Sequence, residues 1–316
     1  MSQEKNKDLV LTDEMFEFVD IDDRVSERIA APEYSYWGSV FKKFFSSKFA
    51  VFMLIVLITV LAFSFIQPLV SGYDHSQQQN INDPSAKFLK PSLEHPFGTD
   101  DVGRDVFNMV WAGARTSLTI SFTVTIITMT IGIIVGMIWG FNKNLDFYLL
   151  DIYNVVSNIP YTLIVMILSY VLGAGIPQLI FALSATSWIG MAYFIRVQVM
   201  IIRDREYNMA SRVLGSSTWK IITHNILPYL ISVVVTSAAS RLPGYVSTEV
   251  FLGFIGLGLN LNVASLGRTI QQHSQYMQPA PYLFFIPVAV LAIITVSFYL
   301  VGQTLADASD PRNHGI

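Results

Sequence analysis

Side chains able to do chemistry are thinly placed along this sequence, and their spacing excludes the common catalytic devices. A phosphate-binding loop needs glycine before its lysine, so that backbone amides and the ammonium close on the same phosphates, yet none of the nine lysines follows a glycine. Neither His-Glu-x-x-His nor Gly-x-Ser-x-Gly occurs, which removes the zincin arrangement and the serine nucleophile elbow. With no cysteine there is no disulfide, thiolate metal site or cysteine nucleophile. His75, His95, His224, His273 and His314 are scattered and read as surface histidines. Asp100, Asp101, Arg104 and Asp105 form a short charged cluster with too few oxygen ligands for a cation cage. The expectation is a protein without catalytic residues, metal or cofactor of its own.

The remaining candidates are polar groups embedded in apolar sequence, above all Asn158, Arg241 and Glu249. What positions them is a set of membrane spans. The 316 residues are 52% hydrophobic and 14% charged, against about 25% charged in an average soluble domain. A net charge of −3 gives no basic face for nucleic acid. About 20 apolar residues cross a bilayer as a helix. Blocks of that length run from Phe49 to Ile66, closed by Gln67 and Pro68, from Thr116 to Phe141, and from Tyr282 to Val301. Ile152 to Ile195 carries no charge and holds two spans around a turn at Gly173, Gly175 and Pro177. A further span runs from Ile226 to Val246 despite Arg241 and Pro243. The fold expected is all-α and polytopic, with six transmembrane helices.

Lysine and arginine set the orientation. With the N-terminus inside, 14 of them fall on inner segments and five on outer ones, and Lys42, Lys43 and Lys48 stand directly before the first span. The positive-inside rule then places both termini in the cytoplasm. Residues 1–47 form an N-terminal tail whose first 41 residues hold ten acidic and four basic side chains, the composition of a solvated segment. No basic leader precedes an apolar core, so the N-terminus is expected to be retained. Residues 48–306 form the transmembrane domain and 307–316 a second cytoplasmic tail. The loops 71–115 and 251–281 lie outside; 142–151 and 196–225 lie inside.

The longest inner connection, 203–228, carries the clearest pattern. On a helix, Tyr207, Ala210, Val213 and Leu214 share one side at three- and four-residue spacings, with Glu206, Asn208 and Arg212 largely away from it. Gly215 ends that helix, and Ser216 or Ser217 caps the next. Such a short amphipathic helix fits a groove on another protein or lies against lipid headgroups; both readings stand on the residues alone.

The segment resembles the EAA loop of ABC importer permeases: Met209, Ala210 and Ser211, then Gly215, then Leu227 and Pro228 fall in its register, with Met209 and Ser211 as departures. The stretch from His95 to Phe107 continued by Gly113 to Leu118, the run Thr248 to Gly258 and the ending Ala306 to Arg312 resemble the C-type subunit of the peptide and nickel permeases. Ala31 to Phe41, Tyr153 to Pro160 and Val301 to Pro311 are similar to oligopeptide permeases of streptococcal type. The resemblance implies a type I permease in the plasma membrane, forming half of an oligopeptide pathway. It implies a sister permease, two ABC ATPases that bind ATP and Mg, and an extracellular peptide-binding lipoprotein. Glu206, Tyr207, Ala210, Arg212, Leu214, Gly215, Leu227 and Pro228 would couple to the ATPases, with Ala210 allowing close approach, Gly215 setting the bend, and Glu206 and Arg212 forming a polar rim. Dipeptide, nickel and glycoside permeases share much of this signature. From other classes, a non-energised channel or scaffold is the competing reading, with an intramembrane protease remote.

Gly132, Gly136 and Gly140 lie on one stripe and permit close helix approach in lipid, with static contact inside the subunit favoured over a sliding one. Arg241 either faces a pathway, pairs with a neighbouring subunit or snorkels; Asn158 either lines a cavity or bonds between helices.

Overall fold

The computed structural model describes residues 35–75 and 84–310. Most of the acidic tail, the resemblance around Ala31 and the ending from Pro311 lie outside the described residues. The chain divides into units of residues 1–39 and 40–316; helix α1 (Tyr36–Ser46) begins in the first, and all later elements lie in the second.

Local chemistry sets where the helices start. Ser47 accepts from the Ala50 amide and caps α2 (Lys48–Val70); Asp105 accepts from the Asn108 amide and caps α3 (Val106–Phe141). Asn142 ends α3 and caps α4 (Lys143–Ser157), so the inner loop expected over 142–151 is helical instead. After a break come α5 (Tyr161–Leu172) and α6 (Ile176–Arg203), then α7 (Glu206–Val213) and α8 (Thr218–Ile221). A π-helical turn, Ile222–Ile226, leads into α9 (Leu227–Phe254), followed by α10 (Leu266–His273) and α11 (Pro281–Ser309). Several spans outrun their apolar blocks. Helix α2 passes through Pro68 to Val70, and α9 through Arg241 and Pro243 to Phe254. In lipid an isolated span satisfies its backbone only as a helix, so one missing proline N–H does not end it.

Five helices are long and apolar enough to cross a membrane, and α4 with α5 make a sixth crossing bent by 81°. The bend falls where Pro160, which has no N–H to continue α4, caps α5 instead. Helix contacts support that count. The stripe Gly132, Gly136 and Gly140 on α3 meets Met191, Ala192 with Ile195, and Val199 on α6 in the same order, so α3 and α6 run parallel. Parallel neighbours need a return crossing between them, and only α4 and α5 supply it. A Cβ at Gly136 would stand 2.5 Å from the Ala192 carbonyl oxygen, so the close approach is real and lies within the subunit.

Helix α3 is the central mast. At about 1.5 Å per residue its 36 residues reach about 54 Å, well past the hydrocarbon core. It contributes to all three apolar clusters: with α2, α9, α10 and α11; with α6 and the start of α9; and with α5, α6 and α9. Outward, Phe52, Ile55, Ile58, Phe63 and Ile66 on α2 stay exposed, an apolar face that only lipid or another apolar surface removes from water. The chain is a multi-pass membrane protein.

Candidate functional site

At one end of the bundle, α7 projects its apolar side outward. Tyr207, Ala210, Val213 and Leu214 are all exposed, Val213 and Leu214 to 88% and 85%. What holds the helix is on its other side. Asn208 is fully buried; its amide donates to the Ile202 carbonyl at 2.9 Å, and its oxygen accepts from Asn225 at 2.9 Å. Asn225 also reaches Ser211 Oγ at 3.4 Å. The Arg212 guanidinium lies over the Phe141 ring, 5.6 Å from its centroid, tying α7 to the end of α3. Arg212, expected on the rim with Glu206, is exposed and also makes this contact, while Glu206 sits exposed in the first turn of α7, where the helix dipole favours an anion.

Gly215 closes the motif at φ +82°, a left-handed conformation that disfavours any Cβ, and the Ser216 amide bonds back to the Ser211 carbonyl at 3.0 Å. Ser217, with its hydroxyl 3.3 Å from the Lys220 amide, starts α8. Leu227 is half-buried among apolar residues of α6 and α9, and Pro228 is exposed in the first turn of α9. Those two shape the return of the chain rather than the exposed face of α7.

A second knot braces this end. Asp146 on α4 receives Arg196 Nη2 of α6 at 2.8 Å and the Trp139 indole N–H of α3 at 2.7 Å. Tyr153 and Tyr193 stack with centroids 4.0 Å apart, and Arg203 at the end of α6 donates to the Gly140 carbonyl at 2.7 Å. Three helices are joined beside the projecting α7.

Midway along the bundle a cavity of about 580 Å³ lies between α4, α5, α6 and α9. Arg241 lines it; Asn158 and Glu249 do not. Asn158 sits exposed at the α4–α5 break, its amide on the Asn154 carbonyl at 2.6 Å. Glu249 is fully buried inside the subunit. The eight residues from Arg241 to Glu249 turn a helix by about 80° beyond two full turns, enough to take the carboxylate off the face that carries the guanidinium.

The family described as "Binding-protein-dependent transport system inner membrane component" matches residues 129–315. The chain belongs to this family. A second match, "N-terminal TM domain of oligopeptide transport permease C", covers residues 35–91. The chain is 50% identical to the oligopeptide transport system permease protein AmiD of Streptococcus pneumoniae, over 95% of its own length and 98% of that protein. It is 32% identical to OppC of Bacillus subtilis, covering 91% and 93% of the two chains, and 31% identical to the dipeptide permease DppC of the same organism, covering 95% and 93%. A chain of the MetNI methionine ABC transporter superposes with TM-score 0.51 at 20% identity, covering 64% of this chain and 96% of that one, which establishes the shared fold.

At the opposite end of this permease, the charged cluster of the 71–115 connection is used internally. Asp100 is fully buried and binds Arg104 Nε at 2.6 Å; its other oxygen accepts the Arg104 and Val102 amides at 2.8 and 3.0 Å. Tyr276 donates to Asp101 at 2.9 Å, and Tyr282 to the Thr99 carbonyl at 3.0 Å. Burial pushes the Asp100 carboxyl up, but His273 and the Arg104 guanidinium outweigh it and leave the group below the ordinary carboxylate value. Asp100, Asp101 and His273 bring ligand-type atoms within 4.8 Å of one another, with Arg104 already supplying the positive charge there. The cluster fastens this connection over α10 and α11.

Sequence reasoning missed Asn208, Asn225, Asp146 and Arg196. For the first pair a signal existed: Asn208 stands off the apolar side of an amphipathic helix whose outer side is itself apolar, which leaves it facing the protein.

Proposed function

We propose that this permease forms half of the translocation pathway of an ATP-driven oligopeptide importer, with both termini in the cytoplasm. It works with a sister permease, two ABC ATPases and an extracellular peptide-binding lipoprotein. ATP and Mg belong to the ATPases; this chain turns their closure into a change of access by moving as the partner of a docked surface. Family membership and the oligopeptide names of the relatives support the substrate class. The observation that carries the coupling is α7: an apolar side held outward by the buried Asn208 with its partner Asn225 and by a stacked arginine, at an end braced by the Asp146 knot.

Burying one large aliphatic side chain contributes about 1.5–3 kcal/mol, so Leu214 and Val213 together would contribute about 3–6 kcal/mol toward seating α7 in a partner groove. In the complete complex, Leu214→Asp is expected to abolish retention of the ATPases on the purified permeases and ATP-dependent uptake in vesicles, while the permease pair still inserts. Full retention of the ATPases with normal uptake would overturn the docking assignment.

A further inference from the structure

The cavity between α4, α5, α6 and α9 contains a charge with no partner among the described residues. Arg241 stands near the middle of the 28-residue α9, about 20 Å along the helix from either end. It is the one charged side chain lining the cavity, and it makes no ion pair or side-chain hydrogen bond among the described residues. Arginine at the centre of a span costs about 2.5–3.5 kcal/mol on insertion scales, and an incoming anion would offset whatever part of that cost the cavity leaves.

The hydroxyls around it have a defined polarity. Ser187 donates to the Leu183 carbonyl at 2.7 Å, Ser240 to Thr236 at 2.9 Å, Thr248 to Gly244 at 2.9 Å, and Tyr161 to Leu183 at 2.9 Å. Their protons point back into the helices, so what they turn to the cavity is oxygen lone pairs. The lining therefore offers acceptors suited to peptide N–H groups, one unpartnered hydroxyl at Thr186, one fork of cationic donors, and no carboxylate for an ammonium among the described residues. Exposed positions Ser157, Ser240 and Gly244 are part of it, so the cavity opens on the surface of the subunit.

We propose that Arg241 receives the main-chain carboxylate of the peptide in transit, with the neighbouring hydroxyl oxygens accepting from its backbone amides. This chain then supplies the carboxylate-reading half of the pathway and leaves the peptide ammonium to the other half. The assignment rests on the oligopeptide reading above. A guanidinium suits it because two parallel N–H groups match the two carboxylate oxygens.

The test uses the complete transporter in vesicles and one peptide with uncharged side chains, as the free acid and as the C-terminal amide, each saturating the binding protein. With Arg241→Gln, uptake of the free acid is expected to fall about tenfold, the scale of a lost charge-assisted hydrogen bond, with uptake of the amide unchanged. Arg241→Lys, which keeps the charge and loses the fork, is expected to give acid uptake between that of Arg241→Gln and that of the unmodified complex; should the glutamine variant fail to assemble, the lowered acid-to-amide ratio of the lysine variant carries the test. Equal losses for acid and amide would overturn the proposal and mark Arg241 as an inter-subunit ion pair or a structural group. Unchanged acid uptake in Arg241→Gln would overturn it outright. If the unmodified complex carries neither peptide, the oligopeptide reading itself fails.

Discussion

Replacing Gly136 by alanine tests the close contact of α3 and α6. A Cβ there would stand 2.5 Å from the Ala192 carbonyl oxygen and 2.7 Å from Ile195 Cβ, against about 3.5–4.0 Å for a relaxed carbon contact. Neither neighbour can rotate away, because one is backbone and the other a Cβ fixed to it. The helices must separate by about 1 Å, which also loosens Met191 from Gly132 and Val199 from Gly140 one turn away on each side. Overfilling a tight contact costs about 1–3 kcal/mol, and alanine returns up to about 1 kcal/mol in helix propensity. A net loss of about 1–2 kcal/mol follows, a fall of several degrees in the melting midpoint at about 2–4 °C per kcal/mol. Gly190 on α6 is the control, since a Cβ there meets nothing within 4 Å; Gly190→Ala is expected to match or exceed the unmodified protein. Without cysteines the melt cannot be followed by thiol-reactive dyes, but tryptophan fluorescence serves, because Trp139 is buried one residue from Gly140. The reasoning is refuted if Gly136→Ala melts at or above the unmodified protein, or if Gly190→Ala loses as much.

Gly215 gives the opposite case: a Cβ finds open space, so only the positive φ opposes it, at about 1–2 kcal/mol for alanine and more for valine. Gly215→Val is expected to insert normally and keep the melting midpoint of the bundle while re-aiming α7, so uptake falls; undiminished uptake in reconstituted vesicles would remove Gly215 from the coupling device. The end bearing α10 should weaken in acid. Burial lowers the His75 pKa from 6.5, and the Asp100 carboxyl sits below 3.8. For both, the folded value is depressed, so the unfolded chain binds protons first. Stability should be level above about pH 7, decline as pH falls below the ordinary histidine value, and decline again as pH falls through the depressed value of Asp100. Melting midpoints over that range decide it: a protein that gains stability between about pH 7 and 5 contradicts the assignment of His75, and His75→Gln should flatten the upper limb.

How far the sequence speaks depends on the range of the interaction. Spans follow from composition summed over about 20 residues, and a short amphipathic helix from spacings of three and four, so the bundle and the outward side of α7 are both readable. Gly215 is readable because a left-handed residue is a local demand. Boundaries are not, since apolar runs end where charges begin while helices end where caps and backbone bonds do: α3 starts at the Asp105 cap, ten residues before the apolar block. Contacts between distant residues leave no local pattern. Asp146 meets Arg196 fifty residues on, and Asn225 meets Asn208 seventeen residues back across a bend. The two ionisable residues of α9 show the same limit most sharply. Sequence marks Arg241 and Glu249 alike, as charges in apolar surroundings, and says nothing of direction. Facing is set by the helices packed around α9: Arg241 meets a cavity and Glu249 meets protein. A charge in a span is thus a sign of function only once its neighbours are known, and here the neighbours separate a group free to bind from one enclosed by the fold.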